Sequence, residues 1–206
     1  MIIVTGAAGF IGSNIVRRLN KNGKDNILLV DNLSNPEKHL NLNSLNFIDY
    51  LDKNSLLDSL NSYDNIEAIF HQGACSSTTE NDGLYMMNNN YNYSKSLLDF
   101  SVEKEIPFIY ASSASVYGNG HNGFREERKC EYPLNIYAFS KAIFDRYATN
   151  LMNKCNSQII GLRYFNVYGP QENHKGKMAS LVFNLFQQLS KTKEMKLFDG
   201  SDNFLR

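Results

Sequence analysis

The chain of 206 residues has no tryptophan, four prolines, three cysteines and four histidines, and its formal charge sums to zero at pH 7. Each shortage excludes something. Cys75, Cys130 and Cys155 are odd in number and far apart, so neither a disulfide framework nor a metal site is expected. His39, His71, His121 and His174 have no ligand spacing either, and a reducing cytosol is the compartment that fits. With 21 basic and 21 acidic residues, no net field draws the chain to nucleic acid or to a membrane surface. No apolar run reaches membrane-spanning length. Met1 opens directly onto an apolar run, so no leader is expected and the protein reads as cytoplasmic. The length suits one good core, or one domain and part of another.

What the chain does have is glycine in a pattern. Ile2-Ile3-Val4 reads as a buried strand and Ser13 onward as a helix, with Gly6, Gly9 and Gly12 between them as G-x-x-G-x-x-G. That is a strand–turn–helix phosphate loop. Gly6 can take the tight turn, Gly9 lets backbone amides reach a pyrophosphate, and Gly12 allows close helix–strand packing. The helix N-terminus then faces the ligand's negative charge.

Further strands are predicted at 27–30, 45–48, 68–70, 108–111 and 158–165, alternating with helices that include one long helix over 82–104. Such alternation of buried apolar strands with helices means α/β architecture, a doubly wound parallel sheet. Ligands of such sheets sit at the carboxyl ends of the strands. Asp31 ends the second strand about twenty residues past the loop, where an acid accepts hydrogen bonds from the adenosine ribose. It favours NAD, because a 2′-phosphate would meet a like charge. Lys38 and Lys53 could nevertheless reach a phosphate, so the residues leave NAD and NADP open. The small residues Gln72-Gly73-Ala74-Cys75-Ser76 follow the fourth strand and let backbone pass over the cofactor. His71 is expected to be satisfied by backbone. Cys75 has no basic sequence neighbour and reads as packing rather than nucleophile. One Asn of the Asn88–Asn90 run is expected to face the sheet and bridge backbone groups beneath the nicotinamide.

Tyr137 and Lys141 form a Y-x-x-x-K pair on one face of a predicted helix. Tyrosine has an ordinary pKa near 10, so using it as a base at neutral pH costs roughly 4 kcal/mol. A nearby ammonium and a cationic nicotinamide would lower that cost. Lys141 can also hold the nicotinamide ribose. A second such pair, Tyr91 and Lys95, has no strand-end serine upstream, whereas Ser113 precedes Tyr137 by 24 residues. Tyr137 is therefore preferred, with Ser113 bonding the substrate oxygen. Lys175 lies in a loop beyond the last strand and by itself reads as a solvated lysine.

Several longer stretches are more specific: His71–Glu80, Met86–Tyr91, Arg163–Pro170 and His174–Ser180. Together they resemble the ADP-glyceromanno-heptose 6-epimerase family of the extended short-chain dehydrogenase/reductase superfamily, over the whole chain. The resemblance implies a Rossmann-type NADP-binding domain over 1–168 and the start of a substrate-binding lobe over 169–206. The implied activity is epimerisation at C6 of an ADP-linked heptose, a step toward the lipopolysaccharide inner core. Implied NADP-site residues are Phe10, Ile11, Asp31, Asn32, Lys38, Lys53, Gln72 to Ser76, Asn89 and Lys141. Tyr137 and Lys175 match the two proton acceptors. Asn166, Val167, Phe198, Asp199, Gly200, Ser201 and Arg206 match the nucleotide-sugar site.

Three residues depart from the family pattern: Gln72 for a frequent Glu, Asn184 for a common substrate-site His, and Lys177 for a usual Ser. Family members continue for roughly another hundred residues past the equivalent of Arg206. A truncated, inactive NADP-binding fragment and another nucleotide-sugar epimerase are therefore the competing expectations. A 4,6-dehydratase fits less well, because Ala114-Ser115 follows Ser113 where that branch has Asp-Glu. A full-length version is expected to be a homo-oligomer.

Overall fold

The computed structural model describes residues 1–195, without the Lys177 side chain. Phe198 to Ser201 and Arg206 lie outside the described residues. The chain divides into two compact units, Met1–Phe165 and Asn166–Arg206.

The first unit is built on six parallel strands among the described residues: β1 (Ile2–Thr5), β2 (Ile27–Asp31), β3 (Asp49–Asp52), β4 (Ala68–His71), β5 (Phe108–Ser113) and β6 (Ile159–Tyr164). Their order is β3-β2-β1-β4-β5-β6. Every pairing is parallel, and the registers set Thr5 beside Val30 and His71, Asp31 beside Asp52, and Ser113 beside Tyr164. All the strand carboxyl ends therefore lie along one rim. Strand order reverses between β1 and β4, the switch point at which such sheets bind ligands.

Alternation along the strands sends successive side chains to opposite faces, and helices cover both. Ile3, Leu28, Val30, Ile69 and Phe108 pack on one side with Leu56, Leu97, Leu98 and Phe144. Ile2, Val4, Ile27 and Leu29 pack on the other with Val16 and Leu45. The helices are α1 (Phe10–Lys21), α2 (Lys53–Ser59), α3 (Gly83–Met86), α4 (Tyr93–Glu103) and α5 (Ile136–Met152).

Two expectations are corrected here. The third strand is not 45–48 but Asp49–Asp52. Leu45 drops into the core and Phe47 and Ile48 are exposed, while the polar strand pairs along a single edge, with β2. An edge strand is open to solvent along its free side and carries charged residues there, so apolar count misleads. The long helix over 82–104 is interrupted by a π-helical segment, Met87–Asn92, between α3 and α4.

The second unit contains a short 3₁₀ segment, Asn173–Met178, and helix α6 (Leu181–Thr192), begun by Ser180 Oγ accepting from Phe183 N–H. None of the described residues of α6 is buried, and Leu181, Val182, Phe186 and Leu189 are exposed.

Phe108 lies fully buried at the centre of the larger core. Phe108→Ala should cost about 3–5 kcal/mol of folding stability, read from urea denaturation. A loss below about 1 kcal/mol would mean that the two faces do not pack as described.

Candidate active site

The glycine loop lies at the switch point. Gly6 sits at φ +66°, and a Cβ there would come within 2.7 Å of the Gly73 nitrogen. Gly12 has ordinary helical backbone, but a Cβ on it would overlap the Gly6 carbonyl. Gly9 caps α1, and no acidic side chain stands in the first turn to neutralise the helix's positive end.

Side chains pin this loop from behind. The Asp31 carboxylate is buried; Oδ2 accepts from Ala8 N–H at 2.8 Å, and Oδ1 from Asn32 N–H at 2.7 Å and Lys38 Nζ at 2.6 Å. Asn41 Nδ2 donates to the Ala8 carbonyl at 2.9 Å. Ala8 is thus held through both its N–H and its C=O, and Asn41 is a residue that sequence reasoning missed. Lys38 is paired with Asp31, and Lys53 donates to Asn89 Oδ1.

The 72–76 segment is clamped by Asn90, the one Asn of the run that bridges backbone groups as expected. Asn90 is buried; Oδ1 accepts from Cys75 N–H at 2.8 Å and Nδ2 donates to the Cys75 carbonyl at 2.9 Å. The π-helical segment carries this residue, and such segments concentrate at functional sites. Asn89 instead joins Lys53 to Asn90, donating to Asn90 Oδ1 at 2.9 Å. His71 is satisfied by side chains, not backbone: Nδ1 lies 2.6 Å from Thr5 Oγ1 and Nε2 2.7 Å from Ser94 Oγ. Burial, with the Lys141 charge adding, pushes its pKa down to about 3, so it is neutral at pH 7.

Tyr137, Ser113 and Lys141 converge at the end of β5. Burial raises the Tyr137 phenol above its ordinary value, and the hydrogen bond with Ser113 partly offsets this. Ser113 Oγ also accepts from Ser115 Oγ at 2.8 Å. Lys141 is buried and its Nζ donates to the Ala111 carbonyl at 2.8 Å. Burial lowers its pKa to about 8, against the supporting charge of Asp145. Ser113 is thus a neighbour that lowers the phenol in addition to those expected from the sequence. The other pair faces elsewhere: Lys95 Nζ lies 4.8 Å from the Tyr147 ring.

In the second unit Asn166 and Val167 are exposed and Lys175 is half-buried. Asn184 Nδ2 donates to the Ala179 carbonyl at 3.1 Å. Glu172, another residue not foreseen, is buried and closes the loop that carries Lys175. Its carboxylate accepts from Gly169 N–H at 2.9 Å, Ser180 N–H at 2.6 Å and Ser180 Oγ at 2.9 Å. Among the described residues no helix is long and apolar enough to cross a membrane, and no His, Cys, Asp and Glu cluster could hold a metal.

The model of the NAD dependent epimerase/dehydratase family matches residues 2–204. The chain belongs to that family. It is 63% identical, over its whole length and 67% of the relative's, to an ADP-L-glycero-D-manno-heptose-6-epimerase of Brachyspira hyodysenteriae. A solved ADP-L-glycero-D-manno-heptose-6-epimerase of Helicobacter pylori superposes with a TM-score of 0.84 at 35% identity, covering 96% of this chain and 65% of that one. A UDP-glucose 4-epimerase of Thermotoga maritima, solved with UDP-glucose, gives 0.77 at 29% identity, covering 91% and 62%. The chain thus spans about two thirds of the length of these relatives.

Family membership makes a nicotinamide cofactor the group to test against the site, and the residues fit it. Gln72 Nε2 and Oε1 are both buried without a hydrogen-bond partner beside the loop, an unspent donor and acceptor that a bound polar group would satisfy. The Gly6 and Gly12 approaches keep the loop backbone bare.

The Glu172 clasp yields a test. Burial works to raise this carboxyl, but hydrogen bonds from Ser180 and Gly169, with the Lys175 charge, outweigh it and hold the carboxyl below its usual range. A depressed carboxyl stabilises above its unfolded value and loses that contribution as pH falls through the folded one. Hydrogen-exchange protection at Gly169 and Ser180, corrected for intrinsic rates, should therefore persist at pH 7 and fall below about pH 4.5. Glu172→Gln should lack about tenfold of it at pH 7 and show no such acid-dependent fall. Equal protection in the variant would contradict the clasp.

Proposed function

We propose that this chain carries the NADP site and the catalytic pair of an enzyme that inverts C6 of an ADP-linked glycero-manno-heptose. The observation that carries the reading is the Ser113–Tyr137–Lys141 constellation at the β5 end, in a chain 63% identical to a relative so named. When bound, the nicotinamide would supply reversible oxidation at C6. The chain's own residues hold, orient and move protons. The loop from Gly6 to Gly12, with Phe10 and Ile11, would hold the pyrophosphate; Asp31, Asn32 and Lys38 the adenosine ribose; Gln72 to Ser76 and Lys141 the nicotinamide end. NADP is preferred because Lys38 already offsets the Asp31 charge that a 2′-phosphate would otherwise meet.

Tyr137 takes the proton of the C6 hydroxyl of one isomer, and gives one back only when the reaction runs in reverse, while Ser113 orients that oxygen. Inversion requires the oxidised carbon to present its other face, so its oxygen must turn and meet a second proton donor. Lys175 is assigned that role, and Asn166, Val167, Lys177, Asn184, Phe198 to Ser201 and Arg206 the nucleotide-sugar contacts. The biological setting is then lipopolysaccharide inner-core synthesis in the cytoplasm, by a homo-oligomer with a fuller substrate lobe. A second reading, cofactor binding without turnover by the 206-residue chain, is favoured by the exposed apolar side chains of α6.

NADP should raise the melting temperature more than NAD does at equal concentration. Equal increments would count against the phosphate assignment, and no increment with either against the cofactor site. In a chain extended to the relatives' length, Tyr137→Phe should cut isomer interconversion by roughly 10²–10⁴-fold with cofactor still bound. Tyr91→Phe should be near neutral; equal losses would refute the choice of Tyr137.

A further inference from the structure

Helix α5 carries Tyr137, Lys141 and Asp145 four residues apart, so the three share one stripe. All three meet β5. Tyr137 bonds Ser113, Lys141 bonds the Ala111 carbonyl, and Asp145 accepts from Ser112 Oγ at 2.8 Å and Tyr110 Oη at 3.0 Å. The rungs run antiparallel: as the helix advances from 137 to 145, the strand retreats from 113 toward 110. Asp145 is the innermost rung and is buried. Its Oδ2 also accepts from Arg163 Nε of β6 at 2.9 Å. Arg163 engages Glu131 at 2.5 Å and Tyr117 Oη at 3.1 Å as well.

We propose that Asp145 is a positioning residue for the Tyr137–Lys141 pair: its carboxylate locks the helix against β5 and supplies the counter-charge that keeps Lys141 an ammonium. The catalytic naming of that pair rests on the function proposed above, but the coupling of Asp145 to Lys141 does not. The titratable groups on the neighbouring strands and on α5 itself support it. From β4 comes His71, which is neutral. From β5 come Tyr110, whose hydroxyl is already given to Asp145, and Ser113, given to Tyr137. From β6 comes Arg163, a cation already engaged by Asp145 and Glu131. On α5 itself lies Tyr137, raised by burial and so neutral. Asp145 is the acid that sustains the lysine's charge.

The test is the pH dependence of folding in the 206-residue chain, by urea denaturation between pH 6.5 and 10. Lys141 falls from its ordinary 10.5 to about 8 in the fold. Between those values the unfolded chain holds more protons, so the Lys141 contribution raises stability with pH. The limit is about tenfold in the folding constant per pH unit, and the contribution is flat below about pH 8. Asp145→Asn removes the counter-charge at nearly constant volume, so the rise should begin about one pH unit lower. In a Lys141→Met background, Asp145→Asn should leave the pH profile unmoved. If Asp145→Asn alone does not fold, Asp145→Asn with Lys141→Met should fold better than it, because the uncompensated ammonium is gone. Superimposable profiles for wild type and Asp145→Asn would overturn the proposal. So would the same displacement in the Lys141→Met background, or a double variant no more stable than the single. Neither readout involves cofactor or substrate, so failure of the proposed function would leave this result standing.

Discussion

The close approach of α1 to the β1–β4 switch point is the constraint on which the candidate site depends. The space a Cβ on Gly12 would need is already filled by the Gly6 carbonyl, and Gly6 itself lies against the backbone of Gln72 and Gly73. Three backbone segments therefore meet with no side chain between them. That brings an uncompensated helix N-terminus to the rim where the strands end. Backbones this close leave little room for adjustment, so sterics bring the segments together and the hydrogen bonds behind the loop hold them in register. Everything polar around it then has a defined place to point.

The polar residues behind the loop set its geometry rather than overall stability. Ala8 is gripped by Asp31 and Asn41, Cys75 by Asn90, and His71 is locked neutral between Thr5 and Ser94. Each net hydrogen bond contributes only about 1 kcal/mol, but leaving one of these buried groups unpaired would cost about 1–3 kcal/mol. The Asp145–Arg163–Glu131 cluster follows the same logic. Buried ion pairs are weak net stabilisers because desolvation offsets their attraction, whereas removing one partner is expensive. What they do is link β5, β6 and α5 through one carboxylate and one guanidinium. The second unit repeats the device on a smaller scale in Glu172, which ties two ends of one loop.

The sheet, the glycine loop, Asp31 and the Tyr137 helix were legible because their signals are local: an apolar run, a spacing, a strand end. The parts misread, left open or missed depend on tertiary partners. A polar edge strand at Asp49–Asp52 looks like a loop until β2 lies beside it. Asn89 and Asn90 are indistinguishable in sequence, and the π-helical turn decides which of them faces Cys75. His71 needed Ser94, 23 positions away, and Asp145 needed Arg163, 18 positions away, before either had a role to read. Glu172 differs from a surface glutamate only through Gly169 and Ser180. Asp145 alone had a sequence signal available, as the next member of the four-residue stripe that begins at Tyr137.

The central claim is that C6 is inverted by oxidation and return of the same hydrogen, with side chains moving only the hydroxyl proton. It is tested most directly by following ADP-heptose deuterated at C6 in ordinary water, with enzyme extended to the relatives' length. Both isomers should appear with deuterium retained at C6, read by mass spectrometry and proton NMR. Interconversion with deuterium lost to solvent would contradict the claim, because C6 would then have been inverted by proton removal at carbon.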